Sequence, residues 1–129
     1  MNQSVPWAQL MAVALGSAVG GVLRWAVQLW LNARWAGFPL GTLVVNCVGG
    51  LLIGIALAWF ARTPNESMRL LLVTGFLGGL TTFSAFTGES LTLLQRGDFG
   101  WAVAHSFAHL AGALLCCAMG FRVAKTLLA

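Results

Sequence analysis

Four long apolar segments divide this 129-residue sequence and constrain its fold more than any other feature. A helix that crosses the hydrocarbon core of a bilayer needs about 20 apolar residues, and each segment is about that long. Charged residues, Pro and Gly mark the segment ends and predict crossings over about 9–31, 39–60, 68–94 and 99–124. We therefore expect an all-α membrane protein, a single domain over residues 1–129 with four transmembrane helices.

The low charge of the chain excludes several functional classes. Only 8% of its residues are charged, whereas soluble domains carry about 25%. The net charge of +4 is dispersed between the apolar segments, so the sequence does not indicate binding to nucleic acid. The sequence contains no Gly-x-Ser-x-Gly motif and no phosphate-binding loop. An enzyme is therefore the least favoured class.

The basic residues near the segment ends favour neither orientation in the membrane strongly. Four of them share one side with both termini, and three lie on the other side, which is a small bias. One fixed orientation and insertion of different copies in opposite directions both remain open. Polar residues at midspan need partners to cover them, so we expect an oligomer. The two groups of basic residues are Arg62, Arg69, Arg122 and Lys125 on one side and Arg24, Arg34 and Arg96 on the other.

Two polar side chains interrupt the first two predicted crossings. Arg24 shares a polar stripe with Gln28 at helical spacing. Its guanidinium either reaches the membrane surface or places positive charge at the mouth of an anion path. Asn46 follows Thr42 by one turn on a face of small residues, where it either forms a hydrogen bond between helices or lines a pore.

The third predicted crossing combines three Gly with four hydroxyl residues between positions 75 and 87. Gly costs about 1 kcal/mol relative to Ala inside a helix, and hydroxyl side chains that bond back to the helix bend it further. We therefore predict a break at about residues 78–82. Backbone carbonyls that are freed by such a break are natural ligands for a small hard cation.

Aromatic and ionisable side chains follow the predicted break. Phe83 and Phe86 lie three residues apart and either pack in the core or turn their weakly positive ring edges toward an anion. Glu89 is the only acid inside a predicted crossing, so it is interfacial, paired or functional. His105 and His109 have a spacing that suits a metal ion. Because no carboxylate or third ligand accompanies them, the sequence disfavours a metal site.

Three motifs together resemble those of the CrcB/Fluc family of fluoride channels. They are residues 20–25 (GGVLRW), 41–46 (GTLVVN) and 75–86 (GFLGGLTTFSAF). The third motif is highly specific, and the match extends over nearly the whole chain. The resemblance implies antiparallel, dual-topology homodimers with two fluoride pores at the subunit interface. It also implies a central structural sodium ion, Na⁺, which is not transported and is bound where the third helices break.

The resemblance also implies roles for individual residues. The backbone carbonyls of Gly78 and Thr81 would bind the sodium ion, two from each subunit. Phe83 and Phe86 match the aromatic pair that lines the pores, and Asn46 matches a pore-facing Asn. The other candidates for the ion pathway are Arg24 near the vestibules, Thr82, Ser84, Glu89 and His109. The fourth segment departs from the expected track of Ser, Thr or Asn, because it carries His105, His109 and Ala113.

The resemblance implies a passive, fluoride-selective channel that exports fluoride and lowers its cytoplasmic concentration. Such a protein would span the plasma (inner) membrane of a prokaryote several times and contact fluoride, lipid and a second copy of itself. The alternative is a proton-coupled exporter of the small multidrug type, which also has four short helices. That class depends on an acid deep in its first helix, and the first segment of this chain contains none. A small accessory subunit of another complex is the third possibility.

Overall fold

The computed structural model describes residues 4–35 and 37–129. These residues form helices joined by short loops. The third crossing consists of two helices, α3 and α4, so that five helices account for four crossings. The bounds are α1 at Trp7–Leu31, which is followed by a 3₁₀ turn at Asn32–Arg34, α2 at Leu40–Arg62, α3 at residues 66–80, α4 at Phe83–Gln95 and α5 at Phe99–Leu127.

The four predicted long apolar helices are confirmed. The candidate membrane spans have a mean hydropathy between 1.6 and 2.2, and each is longer than the roughly 20 residues that a crossing needs. Most large apolar side chains on α1 and α5 are exposed, as expected of surfaces that face lipid. The spans run over Trp7–Arg34, Leu40–Arg62, Glu66–Gln95 and Phe99–Leu127.

The predicted interruption of the third crossing is also confirmed, and it lies at Thr81 and Thr82. Helix α3 changes from α-helix to a π-helix over Leu70–Leu77 before a last turn at Gly78–Leu80. Thr81 and Thr82 then have extended backbone, with φ/ψ of −84°/157° and −153°/120°. Thr82 also caps α4, because its Oγ1 accepts a hydrogen bond of 3.1 Å from the backbone N–H of Ala85.

Small residues bring the helices close together in two pairs. Helix α1 packs along α3, where a Cβ added to Gly75 would lie 2.9 Å from the carbonyl oxygen of Val13. Helix α2 packs along α5, where a Cβ added to Gly54 would lie 2.8 Å from the backbone nitrogen of Phe121. Such close approach is the usual way in which membrane helices associate. Gly75 and Gly79 before the break therefore serve packing against α1, and Gly78 and Gly79 remain helical.

Candidate functional site

A cleft of about 480 Å³ lies between α2, α5 and the two halves of the third crossing. The interrupted backbone forms one wall, and α2 and α5 form the others. Most of the residues that the sequence predicted for the ion and sodium sites line this one cleft. These residues are Asn46, Gly78, Thr81, Thr82, Phe83, Phe86 and His109.

Asn46 holds the interrupted backbone in place. Its Oδ1 accepts a hydrogen bond of 2.8 Å from the backbone N–H of Thr82, and its Nδ2 donates one of 3.0 Å to the carbonyl of the same residue. The side chain thus pairs with both backbone groups of a residue that has left the helix, where unpaired groups are costly in a membrane. The two interpretations of Asn46 coincide, because it bonds between helices and also lines the cleft.

Gly78 and Thr81 have backbone that suits a hard cation. Both line the cleft, and Gly78 is exposed, with no heavy atom closer than 3.8 Å to an added Cβ. Thr81 has left the helical conformation, which turns its carbonyl out of the direction of the helical hydrogen bonds. Carbonyl oxygens are the ligand type that hard cations prefer. These two residues therefore fit the predicted sodium site, and their role remains a prediction.

Arg24 lies at the break but does not line the cleft. Its Nε donates a hydrogen bond of 2.9 Å to the carbonyl oxygen of Gly79, near the carboxyl end of α3. A cation at this end of a helix is favoured by the helix dipole and by the free carbonyls there. The guanidinium thus stabilises the interruption from the side of α1, a contact that the sequence did not indicate.

Phe83 and Phe86 lie side by side after the break, with ring centroids 5.4 Å apart. Phe83 is 73% exposed. Phe86 stacks on His105 at 5.3 Å with an interplanar angle of 14°, and its centroid is 4.7 Å from that of His109. The Phe pair is therefore an exposed ring followed by a ring held among imidazoles, and it is not ordinary core packing. Ser84 reaches the same surface through a contact of 3.2 Å with the hydroxyl of Thr82.

Glu89 lies deeper, in a chain of polar side chains. One carboxylate oxygen accepts a hydrogen bond from the hydroxyl of Thr42, which in turn accepts one of 3.1 Å from Gln28. The other oxygen is 3.1 Å from Nε2 of His105, and Nδ1 of that imidazole is 2.9 Å from the hydroxyl of Ser90. Thr42 and His105 are fully buried. Glu89 is therefore paired, which was one of the interpretations that its sequence position left open.

The expectation that no carboxylate accompanies the two imidazoles is wrong. Glu89 lies on a different helix from His105 and His109, so their sequence separation concealed the proximity. One ligand-capable atom of each of the three residues lies within 4.8 Å of the others. Glu89 also lines a second cavity of about 510 Å³, together with Phe38 and Arg96. Glu89 thus borders the second cavity, and His109 borders the first.

Residues 11–121 match the model of a protein family described as CrcB-like protein, Camphor Resistance (CrcB). The chain belongs to the CrcB family. A protein of Aromatoleum aromaticum is 50% identical to this CrcB chain over 113 residues, which cover 86% of each sequence. A protein of Nitrosomonas europaea is 49% identical over 84% of this chain and 87% of its own length. A protein of Pseudomonas aeruginosa is 47% identical over 88% and 91%. All three relatives are named fluoride-specific ion channel FluC.

Sequence reasoning missed several polar residues of this CrcB chain that complete the site. Thr42 was noted only as a neighbour of Asn46, although its hydroxyl joins α2 to Glu89. Gln28 was noted only as part of a polar stripe with Arg24, and Ser90 was not assigned to the site. All of them lie on faces that point between helices, and a search for polar residues within the predicted crossings would have found them.

Proposed function

We propose that this CrcB protein is a passive, fluoride-selective ion channel that exports fluoride from the cytoplasm. One observation carries the proposal: a single cleft combines an interrupted transmembrane helix, hydroxyl and amide groups, and two Phe rings. The name that the three relatives share, fluoride-specific ion channel, supports the same function. We place the protein in the plasma (inner) membrane of a prokaryote, where it spans the bilayer several times.

The cleft offers a small anion several weak partners in place of a single strong one. Fluoride must exchange its water for donors that do not hold it too tightly to leave. The hydroxyls of Thr82 and Ser84 share one hydrogen bond, which leaves the proton of one of them available to the anion, and the rings of Phe83 and Phe86 have weakly positive edges. Asn46 already uses its amide to hold Thr82, so we assign it to the positioning of these groups.

A second copy in the opposite orientation would complete the pores. Asn46, Thr81 and Thr82 open onto the cleft, and polar groups at membrane depth require protein or water as neighbours. The exposed ring of Phe83 gives a partner an apolar surface to cover. The small difference in basic charge between the two sides allows copies to insert in opposite directions.

A structural sodium ion would lie between the two copies. The carbonyls of Gly78 and Thr81 from each subunit would provide four oxygen ligands, which suit a hard cation. The ion supplies positive charge that holds the two interrupted helices together. Arg24, which bonds to the neighbouring carbonyl of Gly79, keeps that end of α3 in position for the same contact.

The proposal is tested by fluoride efflux from liposomes that contain only the purified protein, measured with a fluoride electrode. We expect efflux down the fluoride gradient without a pH gradient, and no comparable efflux of chloride. Transport that requires an imposed proton gradient would instead favour a small-multidrug-type exporter, for which the pair of Glu89 and His105 is the supporting observation. Inactivity of the pure protein would favour an accessory subunit.

Dual topology needs a separate test. A tag at the carboxyl terminus should be accessible to a membrane-impermeant reagent from both faces of the membrane, in about equal amounts if copies insert without preference. Access from one face only would contradict the antiparallel dimer.

A further inference from the structure

Asn46 determines which nitrogen of His109 carries the ring proton. The orientation of the Asn46 amide is fixed, because its Oδ1 accepts from the backbone N–H of Thr82 and its Nδ2 donates to the carbonyl of the same residue. The second proton of this Nδ2 is directed to Nδ1 of His109, at 3.1 Å between the two nitrogens. An amide nitrogen only donates. In the neutral imidazole, Nδ1 therefore accepts and the proton lies on Nε2.

The N–H of the His109 ring has no acceptor among residues 4–35 and 37–129. Its Nε2 is buried without a hydrogen-bond partner, and the residue as a whole is only 5% exposed. Buried polar groups in proteins are almost always paired, and an unpaired donor at membrane depth is especially costly. This N–H therefore points to an acceptor that comes from outside the chain.

We propose that Nε2–H of His109 is a donor site that binds fluoride, an inference that rests on the proposed function. His109 lines the cleft together with Asn46 and Phe86. A hydrogen bond to an ionised acceptor is stronger than one between neutral groups, so a small anion pairs well with this donor. The fourth crossing lacks here the Ser, Thr or Asn that the resemblance implies, and the imidazole supplies a donor of its own.

The site holds an anion weakly enough for it to leave. An imidazole that accepts from Asn46 is neutral, so it offers one hydrogen bond and no full positive charge. Glu89 is close, because one ligand-capable atom each of Glu89, His105 and His109 lies within 4.8 Å of the others. Its carboxylate is occupied by Thr42 and His105, and its negative charge opposes long occupancy by an anion. Conduction requires such a balance between binding and release.

Access to this donor requires the movement of an aromatic ring. The nitrogen is buried, so an anion in the cleft contacts it only after a neighbouring side chain moves aside. Phe86 is in position for this movement, because its ring centroid is 4.7 Å from that of His109 and 5.4 Å from the exposed ring of Phe83. The edge of the Phe86 ring is weakly positive. Phe86 and His109 would therefore contact the same anion.

Nuclear magnetic resonance of the imidazoles tests the site without reference to transport. The chain contains two His, so the full-length protein with isotope-labelled histidine gives two sets of ring signals in lipid bilayers. We expect His109 to carry its proton on Nε2. Potassium fluoride should shift the signal of this proton and allow magnetisation transfer between it and the fluorine nucleus. Potassium chloride at the same concentration should do neither.

His105 is the matched control in the same spectra. Its Nε2 is 3.1 Å from the carboxylate of Glu89 and its Nδ1 is 2.9 Å from the hydroxyl of Ser90, so neither nitrogen is free for fluoride. The His109 signals are those lost in His109→Gln, and magnetisation transfer from isotope-labelled Asn46 identifies them if that variant does not fold.

Four results would each overturn the proposal. A ring proton on Nδ1 of His109 would contradict the tautomer, and an equal response to chloride would contradict a fluoride site. A response of His105 alone would place the anion elsewhere. An Nε2–H that does not respond to fluoride would show that water is its only acceptor.

Two substitutions at His109 separate its donor from its contact with Asn46. Both Gln and Met remove Nδ1, but the terminal amide of Gln keeps an N–H near the position of Nε2, whereas Met has none. In liposomes, His109→Met should slow the initial fluoride efflux at least about tenfold relative to His109→Gln, because a hydrogen bond to an ion contributes at least that factor. Equal rates would refute a role of the donor in transport. Inactive wild-type protein would count against the proposed channel, and the resonance measurement would then decide the anion site by itself.

Discussion

Replacement of Asn46 with Ala should uncover two backbone groups at membrane depth with a single substitution. The Asn46 amide satisfies both the N–H and the carbonyl of Thr82, at 2.8 and 3.0 Å. Each group left unpaired costs about 1–3 kcal/mol, so we expect a loss of about 2–6 kcal/mol in the free energy of unfolding. Bound water could recover part of this loss, which places the expected value in the lower half of the range.

A second Asn provides the matched control. Asn65 accepts one hydrogen bond of 3.0 Å from the backbone N–H of Met68, at the exposed start of α3. Its replacement with Ala removes a helix cap, which typically costs about 1 kcal/mol. The two variants therefore compare the loss of the same side chain at the interruption and at a helix end.

Both variants are unfolded with increasing mole fractions of denaturing detergent in mixed micelles, and Trp fluorescence follows the transition. The fluoride efflux of each is measured in liposomes. We expect Asn46→Ala to lose clearly more stability than Asn65→Ala and to show reduced efflux. If Asn46→Ala is no less stable than Asn65→Ala, the amide does not hold the interruption, and our explanation of the broken helix would be refuted.

Three further predictions concern the rings, the helix packing and the cation. Phe86→Ile, which keeps the apolar volume but removes the ring edge, should reduce fluoride efflux greatly; an unchanged rate in liposomes would contradict a role for the ring. Gly75→Ala should destabilise the protein by about 1–3 kcal/mol through crowding against α1. Gly88→Ala is the control, because an added Cβ there meets nothing within 4 Å, and it should be neutral or stabilising in the same unfolding assay. If the two Gly→Ala variants change the free energy of unfolding equally, close packing of α1 on Gly75 would be contradicted. Replacement of sodium by a large organic cation should impair efflux, and full activity without sodium would undo the assignment of Gly78 and Thr81.

The sequence was informative about the third crossing because its anomaly is local. A run of Gly and hydroxyl residues within an apolar segment predicts an interruption from helix propensity alone. It did not distinguish the Gly residues from the Thr residues, and the interruption falls on Thr81 and Thr82. The reason is tertiary, since Asn46 on another helix pairs with both backbone groups of Thr82 after that residue has left the helix.

The ionisable residues show the opposite case. Glu89 and His105 lie on different helices, and neither has a local partner that would reveal its environment. The sequence therefore left the role of Glu89 open and disfavoured a metal site at the imidazoles. Packing of α4 against α5 brings the carboxylate to 3.1 Å from the imidazole, and the same packing stacks Phe86 on that ring.

The sequence by itself determined that the chain is helical, that it crosses a membrane four times, and that its third crossing is interrupted. These properties depend on hydropathy and on the local conformational preferences of the backbone, which each segment carries alone. Only the tertiary structure decided which polar side chains meet. A contact such as that of Thr42 with Glu89 joins residues that are 47 positions apart, and the helix packing that brings them together depends on all of the segments at once.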